Sequence, residues 1–155
     1  MISLIICSRD KAALEAAIHS ANTTIGVPYE VIAIDNSKGK FGICEVYNEA
    51  ASQAKFDFLC FMHEDIKFHT ADWGKKVIEQ ISQPATGVLG VAGSAFQPKA
   101  PGGWTAAGEP YLGINVIQTT DGEKRPDYVN PAAKTAMQAI TLDGLWLCCR
   151  KSVWE

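Results

Sequence analysis

The sequence predicts an α/β fold with a mostly parallel central sheet flanked by helices. Three observations support this prediction: continuous apolar runs, helical apolar spacing between the runs, and polar residues directly after each run. Ile2–Cys7 and Phe56–Met62 are apolar on both faces, which is typical of strands covered by helices on both sides of a sheet. The chain has 155 residues, and a domain of that size buries about two thirds of its unfolded surface.

Strands and helices are expected to alternate through the first half of the chain. Tyr29–Ile34 predicts a second strand, Phe56–Met62 a third and Val88–Ala92 a fourth. Thr70 is a candidate N-cap for the helix before the fourth strand. Two earlier helices are indicated by apolar residues that share one face, namely Ala13, Leu14, Ala17, Ile18 and Ala21 in the first and Ile43, Val46, Tyr47, Ala50, Ala51 and Ala54 in the second.

The second half has a different pattern. Thr120-Asp121-Gly122 predicts the turn of a hairpin, so this half is expected to be partly antiparallel. Ala139–Leu142 and Leu145–Cys149 form a last pair of apolar runs, with Asp143-Gly144 between them. We find no internal repeat and no flexible linker, which favours a single domain over residues 1–155. A long irregular loop is expected around Pro98, Pro101, Gly102, Gly103 and Gly108.

Composition argues against several classes of protein. The chain has 14 Lys and Arg against 17 Asp and Glu, a net charge of -3, without the basic run of a nucleic-acid-binding surface. Ile2–Cys7 is too short for a signal sequence, and no apolar stretch approaches the roughly 20 residues that cross a bilayer. A cytoplasmic protein without a transmembrane segment is expected. Its five cysteines form no CxxC pair, and we expect buried, reduced thiols.

Ligands of open parallel sheets bind beyond the carboxyl ends of the strands. Four such ends are polar: Ser8-Arg9-Asp10, Asp35-Asn36-Ser37, His63-Glu64-Asp65 and Gly93-Ser94. Because neither GxGxxG nor GxxxxGK[ST] is present, phosphate groups would need another partner, such as a divalent cation at an acidic cluster.

Asp65 is the candidate metal ligand. If the third strand stays extended through position 65, His63 and Asp65 share one face and Glu64 is a bystander on the other. Imidazole suits Mn²⁺ better than Mg²⁺, so Mn²⁺ is the favoured metal. The simpler alternative is that three polar residues merely end a buried strand.

The order of these segments resembles family 2 glycosyltransferases, which have the GT-A fold. The resemblance rests on Ser8-Arg9, Asp35-Asn36, Tyr47-Asn48-Glu49-Ala50-Ala51 and Phe58–Asp65, and it runs from Ile2 to about Trp154. It is strongest with the subgroup similar to streptomycin-biosynthesis glycosyltransferase-like proteins, in which His-Glu-Asp replaces the usual Asp-x-Asp. Asp65 then matches the metal-binding Asp, whereas His63 departs from the first Asp.

The resemblance implies a nucleotide-diphospho-sugar donor, a divalent metal, a saccharide or small-molecule acceptor, and hexosyl-type transfer. The donor site would include Ser8, Arg9, Asp35, Asn48, Glu64, Asp143 and Gly144, with Trp104 on the acceptor side. Simpler interpretations exist for some of these residues: Asp35 as a turn former, Arg9 and Asn48 as solvated surface residues, and Trp104 as a loop anchor.

The catalytic base of the resembled family lies in an acidic motif downstream of the last strand, which Leu145–Arg150 would form. No residue here matches it, so the domain is expected to be truncated at its C-terminal end, with its base beyond Glu155. A non-catalytic nucleotide- or glycan-binding module derived from a glycosyltransferase is the alternative. A nucleotidyltransferase is disfavoured because no glycine-rich basic loop follows the first strand.

Overall fold

The structure is a computed structural model that describes residues 1–99, 101–130 and 136–155. The chain divides into two compact units, one of Met1–Leu89 with Trp146–Glu155 and one of Gly90–Leu145. Within the described ranges, no helix has the length and apolar character needed to cross a membrane.

Nine strands and four helices are found in the described residues, with two short 3₁₀ turns at Trp104–Ala107 and Glu109–Tyr111. In chain order they are β1 (Ile2–Ser8), α1 (Lys11–Thr24), β2 (Tyr29–Asp35), α2 (Ile43–Gln53), β3 (Phe58–Met62), α3 (Trp73–Ile81), β4 (Val88–Gly90), β5 (Ala92–Ser94), β6 (Leu112–Thr120), β7 (Glu123–Val129), β8 (Thr141–Leu142), β9 (Trp146–Arg150) and α4 (Lys151–Trp154).

The sheet of the first unit is mixed, with the strand order β2-β1-β3-β9-β4. β1 is parallel to β2 and to β3, but β9 is antiparallel to β3 and pairs Trp146 with Met62. The prediction of a mostly parallel sheet is therefore correct for β1, β2 and β3 and wrong where β9 joins. An apolar run shows that a strand is covered on both faces, but it carries no information about strand direction.

The core of this unit confirms the predicted apolar faces. Ile2, Leu4, Ile5 and Ile6 of β1 have no exposed surface, because α1 and α2 both pack against this strand. The predicted face of α2 is buried except at Ile43, which is 46% exposed. The buried residues form one cluster with the central strands: Val46, Tyr47, Ala50 and Ala51 with Ile5, Leu59, Phe61 and Cys149.

The start of α3 differs from the prediction. Its N-cap is Asp72 rather than Thr70, and Asp72 has a left-handed backbone with φ 55°. The Asp72 carboxylate forms an ion pair with Lys75 at 2.9 Å instead of capping the helix. It also lies against Gly26, where a Cβ would come within 2.0 Å of Asp72 Oδ1. A capping preference read from sequence cannot reveal this tertiary contact.

The second unit contains an antiparallel sheet with the order β7-β6-β5-β8. The predicted hairpin is confirmed: β6 and β7 are joined at Asp121 and Gly122, whose φ angles of 54° and 79° suit a tight hairpin turn.

The predicted fourth strand, Val88–Ala92, is wrong in one respect. It is divided into β4 and β5, which belong to different sheets. Between them, the Val91 carbonyl accepts a hydrogen bond from the backbone N–H of Asn115 at 2.9 Å. Gly93-Ser94 consequently lies within β5 rather than after a strand end, and Ser94 is fully buried.

The cysteine prediction is confirmed for three of five thiols. Cys60, Cys148 and Cys149 are buried, Cys7 is partly exposed and Cys44 is exposed. Burial raises the pKa of Cys149 to about 11. Cys44 lies in the first turn of α2.

Candidate functional site

The carboxyl ends of β1, β2 and β3 meet at one edge of the mixed sheet. Ser8 is in register with Asp35, and Ile6 with Met62, so the polar residues that follow these strands come together as predicted. They border a cavity of about 400 Å³, within the usual size range of small-ligand sites. We refer to it as the main cavity, and it is lined by Cys7, Arg9, Asn36, Gly39, Phe41, Ile43, His63, Glu64 and Asp65.

Glu64 links the end of β3 to the segment between β1 and α1. Its carboxylate accepts hydrogen bonds from the Ser8 hydroxyl at 2.6 Å, from the Arg9 N–H at 2.9 and 3.1 Å, and from the Asp10 N–H at 3.0 Å. Partial burial alone would raise the Glu64 pKa, but these hydrogen bonds outweigh it and hold the pKa below its ordinary value. The negative charge of Glu64 is therefore stabilised by the chain itself.

The strand alternation that predicts Glu64 as a bystander does not hold. β3 ends at Met62, and Glu64 and Asp65 lie in a turn, so strand alternation does not extend through position 65. All three residues of His63-Glu64-Asp65 line the main cavity. Within this turn the Glu64 side chain reaches the backbone of the neighbouring β1–α1 segment, a tertiary interaction that periodicity does not contain.

Asn36 organises the loop between β2 and α2. Its side-chain N–H donates to the Phe41 carbonyl at 2.9 Å, and its Oδ1 accepts from the Phe41 N–H at 3.2 Å. The backbone of Gly39, with φ 60°, turns the chain between them. Asn36 is only 7% exposed, and this pair of bonds satisfies its buried amide. The loop consequently holds Phe41, which is 47% exposed, at the wall of the main cavity.

A second, smaller cavity of about 230 Å³ lies along the same loop. It is lined by Asp35, Asn36, Ser37, Lys38, Lys40 and Phe41. Asp35 accepts a hydrogen bond from the Ser37 N–H at 2.8 Å, and the Ser37 N–H and hydroxyl hold the Asp35 pKa below its ordinary value, with a smaller effect from Lys38. Asp35 therefore acts as a turn former, as its simpler interpretation predicts, and it also lines this cavity.

His63 and Asp65 are the residues that could hold a metal ion. Both are exposed and line the main cavity, whereas the Glu64 oxygens already accept hydrogen bonds from the chain. Over the described ranges, no three His, Cys, Asp or Glu residues are grouped as a metal site. An imidazole and one carboxylate fit a divalent ion that takes its other ligands from phosphate oxygens and water, which is how Mg²⁺ and Mn²⁺ are often bound.

Ser8, Arg9 and Asn48 have different environments. Ser8 is buried, and its hydroxyl donates to Glu64. Arg9 is exposed and lines the main cavity. Asn48 is exposed on α2 and lines neither of the two cavities, as its simpler interpretation predicted.

Trp104, Asp143 and Gly144 belong to the second unit. The Trp104 indole N–H donates to Asp143 Oδ2 at 2.9 Å, while Asp143 Oδ1 accepts from the Leu145 N–H at 2.8 Å. Trp104 also packs against the small core of this unit, so it anchors a loop. At Gly144 a Cβ would meet no atom of the described residues within 4 Å, its two chain neighbours apart, so none of those residues requires glycine at this position.

The candidate site also contains residues that sequence reasoning missed. Asn36 was noted only as part of a polar strand end, and Cys7, Phe41 and Ile43 were not predicted to line a site. One signal is present at Phe41, an apolar residue between a polar loop and the amphipathic helix whose apolar stripe begins at Ile43. Apolar residues that flank such a stripe are candidates for a cavity wall.

Comparison with known proteins gives separate evidence on the family to which the chain belongs. No curated protein matches the sequence. The family model described as "Glycosyltransferase like family" matches residues 3–154, almost the entire chain. This match confirms the resemblance to family 2 glycosyltransferases that the strand ends indicated. The chain therefore belongs to the glycosyltransferase-like family.

Proposed function

We propose that this chain binds a nucleotide-diphospho-sugar in the main cavity and transfers the sugar to an acceptor hydroxyl. The observation that carries the proposal is the cavity itself, where Arg9, His63 and Asp65 face one space at the carboxyl ends of three parallel strands. Ligands bind at such ends in open α/β sheets. A GT-A arrangement, the subgroup similar to streptomycin-biosynthesis proteins, and a cytoplasmic location are parts of the same proposal.

Each residue of the site has a proposed role. Asp65 and His63 would hold a divalent ion, Mn²⁺ in preference to Mg²⁺, which when bound neutralises charge on the departing diphosphate as a Lewis acid. Asp35, beside Lys38 and Lys40 in the smaller cavity, would face the nucleoside end of the donor. The Ser8 hydroxyl donates to Glu64, and the two residues would together keep the β1–α1 segment in position.

Part of the proposal concerns the second unit. Asp143 and Gly144 remain candidates for the donor site, and Trp104 for the acceptor side. The indole N–H is already bonded to Asp143. Trp104 would therefore stack its ring on a sugar rather than donate a hydrogen bond to it.

The test is calorimetric titration with uridine and guanosine diphosphates, each with and without Mn²⁺. We expect Mn²⁺ to strengthen binding of one or both nucleotides, and Asp65→Ala to weaken that metal-dependent binding by roughly tenfold or more, since even the partners of metal ligands affect metal affinity on that scale. Asp57→Ala is the matched control, because Asp57 is an exposed acid just before β3, at the opposite end of the strand.

Two outcomes would contradict the proposal. One is an absence of binding to either nucleotide under both conditions, and the other is metal-dependent binding that Asp65→Ala leaves unchanged. The non-catalytic module is favoured by one observation, the histidine at position 63 in place of an acidic ligand. Nucleotide binding without any release of nucleoside diphosphate from a panel of sugar donors and acceptors would support that alternative.

A further inference from the structure

Among the described residues that line the main cavity, Arg9 is the one arginine, and there is no lysine. Two carboxylates, Glu64 and Asp65, line the same space. A diphosphate group entering it would be repelled by them unless cations compensate. The number of available cations therefore decides how strongly a phosphorylated ligand can bind there.

The Glu64 charge has already been compensated within the chain. Its oxygens accept from the Ser8 hydroxyl and from the backbone N–H groups of Arg9 and Asp10. Glu64 is therefore a poor partner for a metal ion or for the Arg9 guanidinium. The carboxylate instead fixes the backbone of Arg9 at the cavity, through bonds of 2.9 and 3.1 Å to its N–H.

The Arg9 guanidinium has no acidic partner in the described part of the chain. The ion pairs there join Lys11 to Glu15, Lys55 to Glu30, Lys75 to Asp72 and Arg125 to Glu123. An exposed arginine with a fixed backbone and an unpaired guanidinium is suited to an anionic ligand. Its planar fork of N–H donors matches phosphate oxygens in a bidentate manner.

We infer that Arg9 binds the diphosphate of the donor directly and provides affinity that does not depend on a metal ion. This inference rests on the proposed function and deepens it by assigning a second, permanent cation to the phosphate-binding part of the main cavity. Arg9 then contacts phosphate rather than the base or ribose that the family resemblance suggested. Asp65 accounts for the metal-dependent part of binding, and Arg9 for the part that persists without metal.

The experiment compares the unmodified chain with Arg9→Gln, Arg9→Lys, Asp65→Ala and Lys76→Gln. Lys76 is an exposed cation on α3 that lines neither cavity, so Lys76→Gln matches the loss of one positive charge. Each protein is titrated with inorganic pyrophosphate and with uridine and guanosine diphosphates, first in EDTA and then in Mn²⁺. Circular dichroism checks folding, which Arg9→Gln should preserve because the side chain is exposed.

In EDTA, we expect Arg9→Gln to weaken pyrophosphate and nucleotide binding by roughly tenfold or more, as befits the loss of a hydrogen-bonded charge. Arg9→Lys should bind with intermediate strength, because it keeps the charge but lacks the fork. Lys76→Gln should bind as the unmodified chain does. In Mn²⁺, Asp65→Ala should lose only the additional affinity that the metal gives to the unmodified chain.

The inference and the proposed function fail in different ways. If Arg9→Gln binds pyrophosphate as well as the unmodified chain, or if the unmodified chain binds nothing in EDTA, the inference is wrong, whereas Asp65-dependent binding of nucleotide in Mn²⁺ would still support the function. If pyrophosphate binds through Arg9 but no nucleotide binds in either condition, the anion site stands and the proposed function falls.

Discussion

Replacing Glu64 by glutamine tests how the β1–α1 segment is held. Glutamine keeps the shape of the side chain but exchanges one oxygen for an NH₂ group, which would face an N–H donor. Hydrogen bonds to a charged acceptor contribute about 1.5–3 kcal/mol each. Because Arg9 and Asp10 are exposed, water can replace part of what is lost. We therefore expect the free energy of unfolding to fall by about 2 kcal/mol in total. For a chain of this size, that change lowers Tm by about 4–8 °C.

The pH dependence of this loss has a defined sign. The Glu64 pKa is lowered in the folded chain relative to its ordinary value of 4.5. Its stabilising contribution is therefore fully present above that value and is lost as the pH falls through the lower folded pKa. The stability difference between the unmodified chain and Glu64→Gln should be constant near neutral pH and should shrink in the acid range below 4.5.

Denaturant unfolding at a series of pH values measures this difference. Subtracting the variant from the unmodified chain cancels the titration of the other acids. Glu49→Gln is the control, since Glu49 is exposed on α2 and should change Tm little at any pH. Equal stability of Glu64→Gln and the unmodified chain at neutral pH would refute the argument, as would a difference that persists unchanged in acid.

Two further predictions concern side chains that hold loops. Asn36→Ala removes both bonds to the Phe41 backbone; it should cost about 1–2 kcal/mol and speed hydrogen exchange at the Phe41 amide, and unchanged exchange would contradict this role. Asp143→Ala and Trp104→Phe should be non-additive in a double-mutant cycle, with a coupling energy of about 1 kcal/mol, because each removes the same 2.9 Å bond; additive losses would show that this bond contributes no stability.

Local patterns were sufficient to predict most of the first unit. Continuous apolar runs located β1, β2 and β3, and the three-four spacing located α2, because burial on one or both faces leaves a direct periodic trace in a sequence. The direction of β9 and the change of sheet at Val91 left no such trace. Both depend on which strand lies beside which, and an apolar residue is equally compatible with either sheet.

The candidate site was predictable as a location but not as a set of roles. The rule that strand ends meet at one edge brought Ser8, Asp35 and His63 to the same region, as the register of the strands confirms. The alternation rule then failed at Glu64, since it assumes an extended chain and the chain turns after Met62. The prediction that Gly93-Ser94 follows a strand end at this site is wrong for a related reason, because β5 belongs to another sheet.

Glu64 and Asn36 show why role assignment from sequence is hard at such an edge. Each is a polar residue placed just after a buried strand, where a ligand contact is the natural hypothesis. In the structure, Glu64 instead accepts from the backbone of the neighbouring β1–α1 segment, which carries Arg9. Asn36 bonds to Phe41 within its own β2–α2 loop. A carboxylate or amide bound to ligand and one bound to backbone occupy the same kind of position in the chain. The hydrogen bonds that each side chain already makes separate the two cases. Among the described residues that line the main cavity, Arg9, His63 and Asp65 are the polar side chains for which no such bond is found.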